Sequence, residues 1–252
     1  HALPAARQGE VFHRYILGLY DLYERLTTAF PHVLFESCAS GGNRFDPGML
    51  YYAPQAWTSD NSDAVERQKI QYGTSMCYPL SSMGSHVSVV PNHQVNRVTP
   101  LHTRANTAYF GTFGYELDLG KLSAEELAEV KDEIAFMKEY REIFQFGTFY
   151  RLQSPFEHNV MAWMCVSGDQ KTAIVGWYRT LNRVNDRFAR VRLAGLLPDT
   201  LYEDSRSGAR CYGDELMHYG LITTDGTTGE PHPEDGLTTD FDSRLYVLNA
   251  VE

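Results

Sequence analysis

Apolar positions recur at three- and four-residue spacing over residues 10–29, where Phe12, Tyr15, Ile16, Leu19, Tyr23 and Leu26 are separated by Glu, Arg and Asp. That period predicts an amphipathic helix, and Pro31 stands just beyond its end. The run Val33–Phe35 has no polar position to offer solvent and predicts a buried parallel strand over Val33–Ser37. A second strand is predicted over Gln55–Ser59. A helix from about Ser62 to Tyr72, capped by Ser62 or Asp63 and stopped by Gly73, comes next. Met76–Ser82 reads as a third strand. Thr99-Pro100 reads as a helix start, with the helix running to about Phe110. Thr112–Leu117 reads as a fourth strand. Ser123-Ala-Glu-Glu126 is a capping box opening a long helix to about Phe144.

This order of elements predicts the C-terminal half of an eight-stranded TIM barrel, (β/α)8, over residues 1–146. From Gly147 the period changes to two. Phe149–Leu152, Val160–Ser167, Thr172–Tyr178, Phe188–Leu193, Leu201–Arg206, Leu216–Ile222 and Leu245–Asn249 are short segments between Gly, Asp, Asn and Pro turns. They predict an antiparallel β-sandwich domain over residues 147–252, with Trp163, Trp177 and Phe188 in its core and the stretch Asp225–Gly236 as a surface excursion. A half barrel has open sheet edges, so it is expected to need a partner segment for stability.

Charge and composition narrow the function. The 252-residue chain carries a net charge of −10 and no basic run, which argues against nucleic acid and anionic membrane surfaces. No apolar stretch reaches membrane-spanning length, and the N-terminus has no signal-peptide pattern. Cys38, Cys77, Cys165 and Cys211 are scattered, with neither disulfide nor metal-ligand spacing, so free thiols in a cytoplasmic setting are expected. His86 and His93 lack a third clear ligand, and no metal is assigned to them. The first residue is His1, from which a processed or excised chain is expected.

Both early strands end in bursts of polar groups. After the first come Glu36-Ser-Cys38-Ala-Ser-Gly41-Gly42-Asn-Arg44-Phe-Asp46-Pro-Gly. After the second come Trp57-Thr-Ser-Asp60-Asn61-Ser62-Asp63. Adjacent strands with functional groups at their C-terminal ends mark the active face of a β/α protein. Taken alone, Asp60 could be part of a helix cap, Cys38 a small buried hydrophobe, and Gly41 and Gly42 turn formers. Arg44 and Asp46 could clasp each other or serve a substrate. Trp57, Tyr51 and Tyr52 could stack on a sugar or fill a core.

Those two segments resemble the α-galactosidases of glycoside hydrolase family 36. The likeness continues through Met83-Gly-Ser-His86-Val-Ser-Val-Val-Pro-Asn-His93-Gln and Phe110-Gly-Thr-Phe-Gly-Tyr115-Glu-Leu-Asp118, and weakens beyond about residue 150. The resemblance implies a retaining exo-acting enzyme without cofactor, acting on α-galactoside oligosaccharides. It implies an acid/base carboxyl at Asp60 and a sugar contact at Cys38, with Gly41, Gly42, Arg44 and Trp57 as further substrate-binding positions. A homo-oligomer is expected of the full-length protein. The family's nucleophile lies in a Lys-Trp-Asp-Met-Asn-type segment on an earlier strand, and that segment occurs nowhere in this chain. A catalytically dead fragment, a sugar-binding or assembly module, and a raffinose synthase-like transglycosylase are the alternatives.

Overall fold

The computed structural model of the protein describes residues 3–41, 43–183, 190–223 and 240–251. The predicted strand segment at 188–189 and the excursion at 225–236 lie outside them. The chain divides into two compact units, residues 1–60 and 61–252.

In the first unit, α1 (Glu10–Ala29) is the helix the apolar period predicts, with Glu10 held by Arg7 and Arg14 at 3.0 and 2.8 Å. One side of α1 meets α2 (Pro47–Tyr52). The Tyr52 ring stacks on Tyr23 at 6.1 Å and tilts against Tyr20 at 5.8 Å. The rest of its apolar face is open: no residue of α1 is buried, and Phe12 is 81% exposed. The strands β1 (Glu36–Ser37) and β2 (Gln55–Ala56) pair in parallel, Glu36 opposite Gln55 and Ser37 opposite Ala56. The expected buried strand over Val33–Phe35 is not formed. Val33 and Leu34 precede β1 and are 52% and 89% exposed. An apolar run is buried only where a neighbouring surface covers it: Phe35 is half-buried with its ring edge-on to Tyr23 at 6.1 Å, whereas Val33 and Leu34 stay open among the described residues.

The second unit opens with α3 (Ala64–Thr74), capped by Asp63, whose carboxylate accepts the Glu66 amide at 3.0 Å. The helix runs through Gly73 rather than stopping there. The third strand is β3 (Gly84–Ser88), not Met76–Ser82, which forms turns and a short 3-10 segment. Parallel pairing with β4 (Thr112–Glu116) fixes β3, with His86 opposite Gly114 and Ser88 opposite Glu116. Backbone pairing thus decides this strand against weak local propensity. Between the two runs α4 (Leu101–Ala108), which starts after Pro100 without a Thr99 side-chain cap. The capping box of Ser123 and Glu126 opens α5 (Ala124–Phe146) as the sequence predicts.

The remainder is mostly sheet. β5 (Thr148–Gln153), β6 (Val160–Val166), β7 (Thr172–Arg179), β9 (Leu201–Asp204), β10 (Arg210–Tyr212) and β12 (Asp242–Val251) form one antiparallel sheet in the order β10-β9-β12-β7-β6-β5. β8 (Arg190–Val191) pairs with β11 (Leu221–Ile222). Of the expected strand over Leu216–Ile222, Leu221–Ile222 form β11, whereas Leu216–His218 belong to α6 (Gly213–His218), with Asp214 and Glu215 in its first turn where the helix dipole favours them. Alternate side chains of β6 serve two cores. Met161, Trp163 and Cys165 pack with Phe110 and Phe144, while Ala162, Met164 and Val166 pack with Leu193, Leu196 and Leu216. Trp163 and Trp177 therefore lie in core as expected, but on opposite sides of the sheet.

Candidate active site

In the first unit, β1 and β2 carry Cys38 and Trp57 directly beyond their C-terminal ends, and the Trp57 amide extends the pairing by donating to the Ser37 carbonyl at 3.1 Å. The loop that follows β1 folds back on itself. Ser37 Oγ donates to the Arg44 carbonyl at 3.2 Å, and Arg44 Nη2 donates to the Cys38 carbonyl at 2.9 Å. Ser40 and Gly41 both take left-handed backbone angles, φ 55° and 71°. A Cβ on Gly41 would stand 2.9 Å from Ser59 Cα and 3.1 Å from the Asp60 nitrogen. Only a residue without a side chain lets this turn lie against the approach to Asp60. The Gly-rich turn and the Asp60 backbone are thereby brought together at one end of the strand pair.

The other predicted positions fall as follows. Cys38 is an exposed free thiol, and the Asp60 side chain is exposed. Trp57 is half-buried. Gly42 lies outside the described residues. Arg44 reaches the Tyr15 hydroxyl at 2.7 Å as well as Cys38. The Arg44–Asp46 clasp is not formed. Asp46 caps α2 through the Met49 amide at 3.0 Å and accepts the Tyr20 hydroxyl at 3.0 Å. A carboxylate at a helix start has backbone donors in reach, and they take precedence over a loop arginine with other acceptors. Tyr52 packs within the unit, whereas Tyr51 is 79% exposed.

In the second unit, the residues after Asp60 are gripped by the segment beyond β3. Ser62 is 3% exposed and Asp63 1% exposed, and Arg97 pairs with the Asp63 carboxylate. Sequence reasoning gives Ser88, Asn92, Gln94 and Arg97 no role here, because contacts between residues distant in the chain leave no local period. His86 lies with Nδ1 3.5 Å from Glu116 Oε2, and His93 is exposed. Among the described residues, no three His, Cys, Asp or Glu side chains cluster as a metal site. Glu133 on α5 is the strongly displaced carboxyl. Burial pushes it up to about 7, although Tyr115 donates a 2.5 Å hydrogen bond to its Oε2.

At the end of the β1–β2 parallel pair the left-handed Gly41 turn thus lies against the backbone of Ser59 and Asp60. Comparison with known proteins gives the class of the protein. The melibiase family model matches residues 1–147, and that of the glycosyl hydrolase family 36 C-terminal domain matches residues 160–248. The chain belongs to the melibiase family, glycoside hydrolase family 36. It is 52% identical over 251 residues to the α-galactosidase AgaA of Geobacillus stearothermophilus, covering all of this chain and 33% of that protein. It is 51% identical to α-galactosidase 1 of Pediococcus pentosaceus, over 87% of this chain and 30% of that one. A crystal structure of an AgaA variant with raffinose superposes with a TM-score of 0.90 at 51% identity, over 99% of this chain and 33% of that chain. The Lactobacillus brevis α-galactosidase gives a TM-score of 0.92 at 50% identity, with the same coverage. The chain thus spans about a third of the length of the relatives it matches. The likeness runs on well past residue 150.

Proposed function

We propose that this chain is the acid/base-bearing part of a retaining exo-α-galactosidase that releases terminal α-D-galactosyl residues from melibiose- and raffinose-type oligosaccharides. Asp60 protonates the departing glycosidic oxygen, then takes a proton from the incoming water. The observation that carries this reading is the Gly41 turn lying against Ser59 and Asp60 beyond a parallel strand pair, in a chain of family 36. Cys38, Gly41, Gly42, Arg44 and Trp57 form the sugar-facing wall. The chemistry needs two carboxyl groups rather than a cofactor. Raffinose bound to the similar Geobacillus enzyme supports the substrate class.

Residues 1–146 form the C-terminal half of a (β/α)8 TIM barrel in this proposal, and residues 147–252 an antiparallel β-sandwich. The parallel pairs β1–β2 and β3–β4, the six-stranded antiparallel sheet, and family matches ending at 147 and starting at 160 support that division. Four free thiols support a reducing, cytoplasmic setting. The full-length protein is proposed to be a homo-oligomer.

One observation favours a second reading, a non-catalytic fragment or module: no Lys-Trp-Asp-Met-Asn-type segment supplies a second carboxylate. The test of the acid/base role uses Asp60→Ala in the full-length protein. Substrates with poor leaving groups should lose turnover most, because only they need protonation in the first step. An activated aryl α-galactoside should glycosylate the enzyme and stall, and azide should release α-galactosyl azide with retained configuration. Equal losses on both substrates without azide rescue would assign Asp60 to structure.

A further inference from the structure

Two tyrosines of α1 tie down the loop between β1 and α2. Arg44 Nη1 donates to the Tyr15 hydroxyl oxygen at 2.7 Å, and the Tyr20 hydroxyl donates to Asp46 Oδ1 at 3.0 Å. Tyr20 lies so close that a Cβ on Gly48 would collide with its hydroxyl. Asp46 has a second anchor in the Met49 amide. The Arg44 guanidinium has one other partner among the described residues, the Cys38 carbonyl, which accepts Nη2 at 2.9 Å. Two of its five N–H donors are thereby used, and three remain for a ligand. The Cys38 carbonyl stands two residues before Ser40, whose left-handed φ of 55° is unfavourable for a residue with a side chain. Such a conformation persists only where neighbouring contacts enforce it. The bonds from Ser37 Oγ to the Arg44 carbonyl and from Arg44 to Cys38 close the loop around it.

We propose that Tyr15 is a positioning residue for the sugar-binding loop: its hydroxyl orients the Arg44 guanidinium and, through it, the Cys38 peptide. The inference rests on the reading of Cys38 and Arg44 as sugar contacts. A guanidinium held by one bond, to Cys38, can still pivot about that bond. The second bond, from the other terminal nitrogen to Tyr15, fixes the plane of the head. The remaining N–H groups then point in set directions, as a site that must match the hydroxyl pattern of one sugar requires. Tyr15 is suited to this because it stands on a helix rather than on the loop it steadies. Every residue in the chain of contacts belongs to the first unit.

The test begins with the full chain labelled with 13C and 15N, so that its first readout needs no turnover. Tyr15 is 52% exposed, so Tyr15→Phe removes the hydroxyl and leaves the ring on α1. The Cys38 carbonyl resonance, read through the Ala39 amide, should move in this variant, and the separate Arg44 Nη1 and Nη2 signals should merge. Arg44→Lys keeps the charge but loses the planar fork that spans both acceptors, and should move the Cys38 carbonyl resonance too. Adding Tyr15→Phe to Arg44→Lys should change nothing more, because Tyr15 acts through Arg44. Tyr23→Phe removes a hydroxyl of the same helix that does not bond Arg44, and should leave the resonance in place. In the full-length protein, Tyr15→Phe should raise KM for an aryl α-galactoside about fivefold at nearly constant kcat, the effect of losing roughly one hydrogen bond from uniform binding. An unmoved Cys38 carbonyl in Tyr15→Phe, or shifts that add in full in the double variant, would overturn the proposal. Spectra as expected with an unchanged KM would instead overturn the sugar contacts at Cys38 and Arg44 on which it rests, and the proposal with them.

Discussion

Glu133 shows how one buried carboxyl makes stability depend on pH. It is 7% exposed, and its Oε1 has no hydrogen-bond partner among the described residues. Its neighbours include the Tyr115 hydroxyl, with Glu129, Arg104 and His102 acting on it through their charge. Burial raises its pKa from 4.5 to about 7, so the folded state holds a proton that the unfolded chain releases. Its contribution is therefore whole below about pH 4.5 and is lost as pH rises through about 7. The loss is on the order of 3 kcal/mol by the linkage relation. Glu133→Gln should flatten the dependence of Tm on pH between 5 and 8 and be the more stable form at pH 8. A parallel pH profile in thermal unfolding would refute this. Gly41 gives a second expectation at this scale. Gly41→Ala meets backbone at Ser59, which cannot yield, and should shift the Ser59 and Asp60 amide resonances while costing about 1–3 kcal/mol.

Among the elements, α1 is legible because its period and polar spacing stand on their own, and α5 because Ser123 and Glu126 form a cap that any helix would use. The strands are less so. Val33 and Leu34 looked like strand interior, yet burial depends on a covering neighbour that local sequence cannot report. Met76–Ser82 is more apolar than Gly84–Ser88, but the β3–β4 ladder decides in favour of the latter. Leu216 sits in a helix whose acidic first turn, Asp214 and Glu215, was a signal overlooked. The Gly41 turn and the Asp60 backbone it meets lie in stretches legible as a motif, whereas the contact of Arg44 with Tyr15 and the grip on Ser62 come from distant residues. A further expectation belongs to α1. Gly18 is in mid-helix with nothing within 4 Å of a Cβ, so Gly18→Ala should stabilise the helix by about 1 kcal/mol. Urea unfolding followed by circular dichroism measures it, and an unchanged or lower midpoint would refute the expectation.

At the scale of the whole molecule, retention requires a second carboxylate about 5 Å from the first, on the opposite face of the sugar. Asp46 and Asp63 are the aspartates nearest Asp60 on either side of it in the chain, and each is committed to capping a helix. The purified chain is therefore expected to show no measurable hydrolysis of an aryl α-galactoside above an Asp60→Asn control. Activity well above that control would reveal a nucleophile elsewhere in these residues.

The separate settings of the three tryptophans give the chain a built-in optical readout. Trp57 is half-buried in the first unit, Trp163 is fully buried among Phe110, Phe149 and Tyr178, and Trp177 is fully buried on the opposite side of the sheet. Indole emission moves to shorter wavelength as water is excluded, so single-tryptophan variants with phenylalanine at the other two positions should emit at distinct wavelengths. Each would then follow the melting of one region: the unit bearing the Gly41 turn, the core beneath α4 and α5, or the core beneath α6. Denaturant titrations of the three variants would show directly whether Asp60 loses its surroundings before the sheet comes apart.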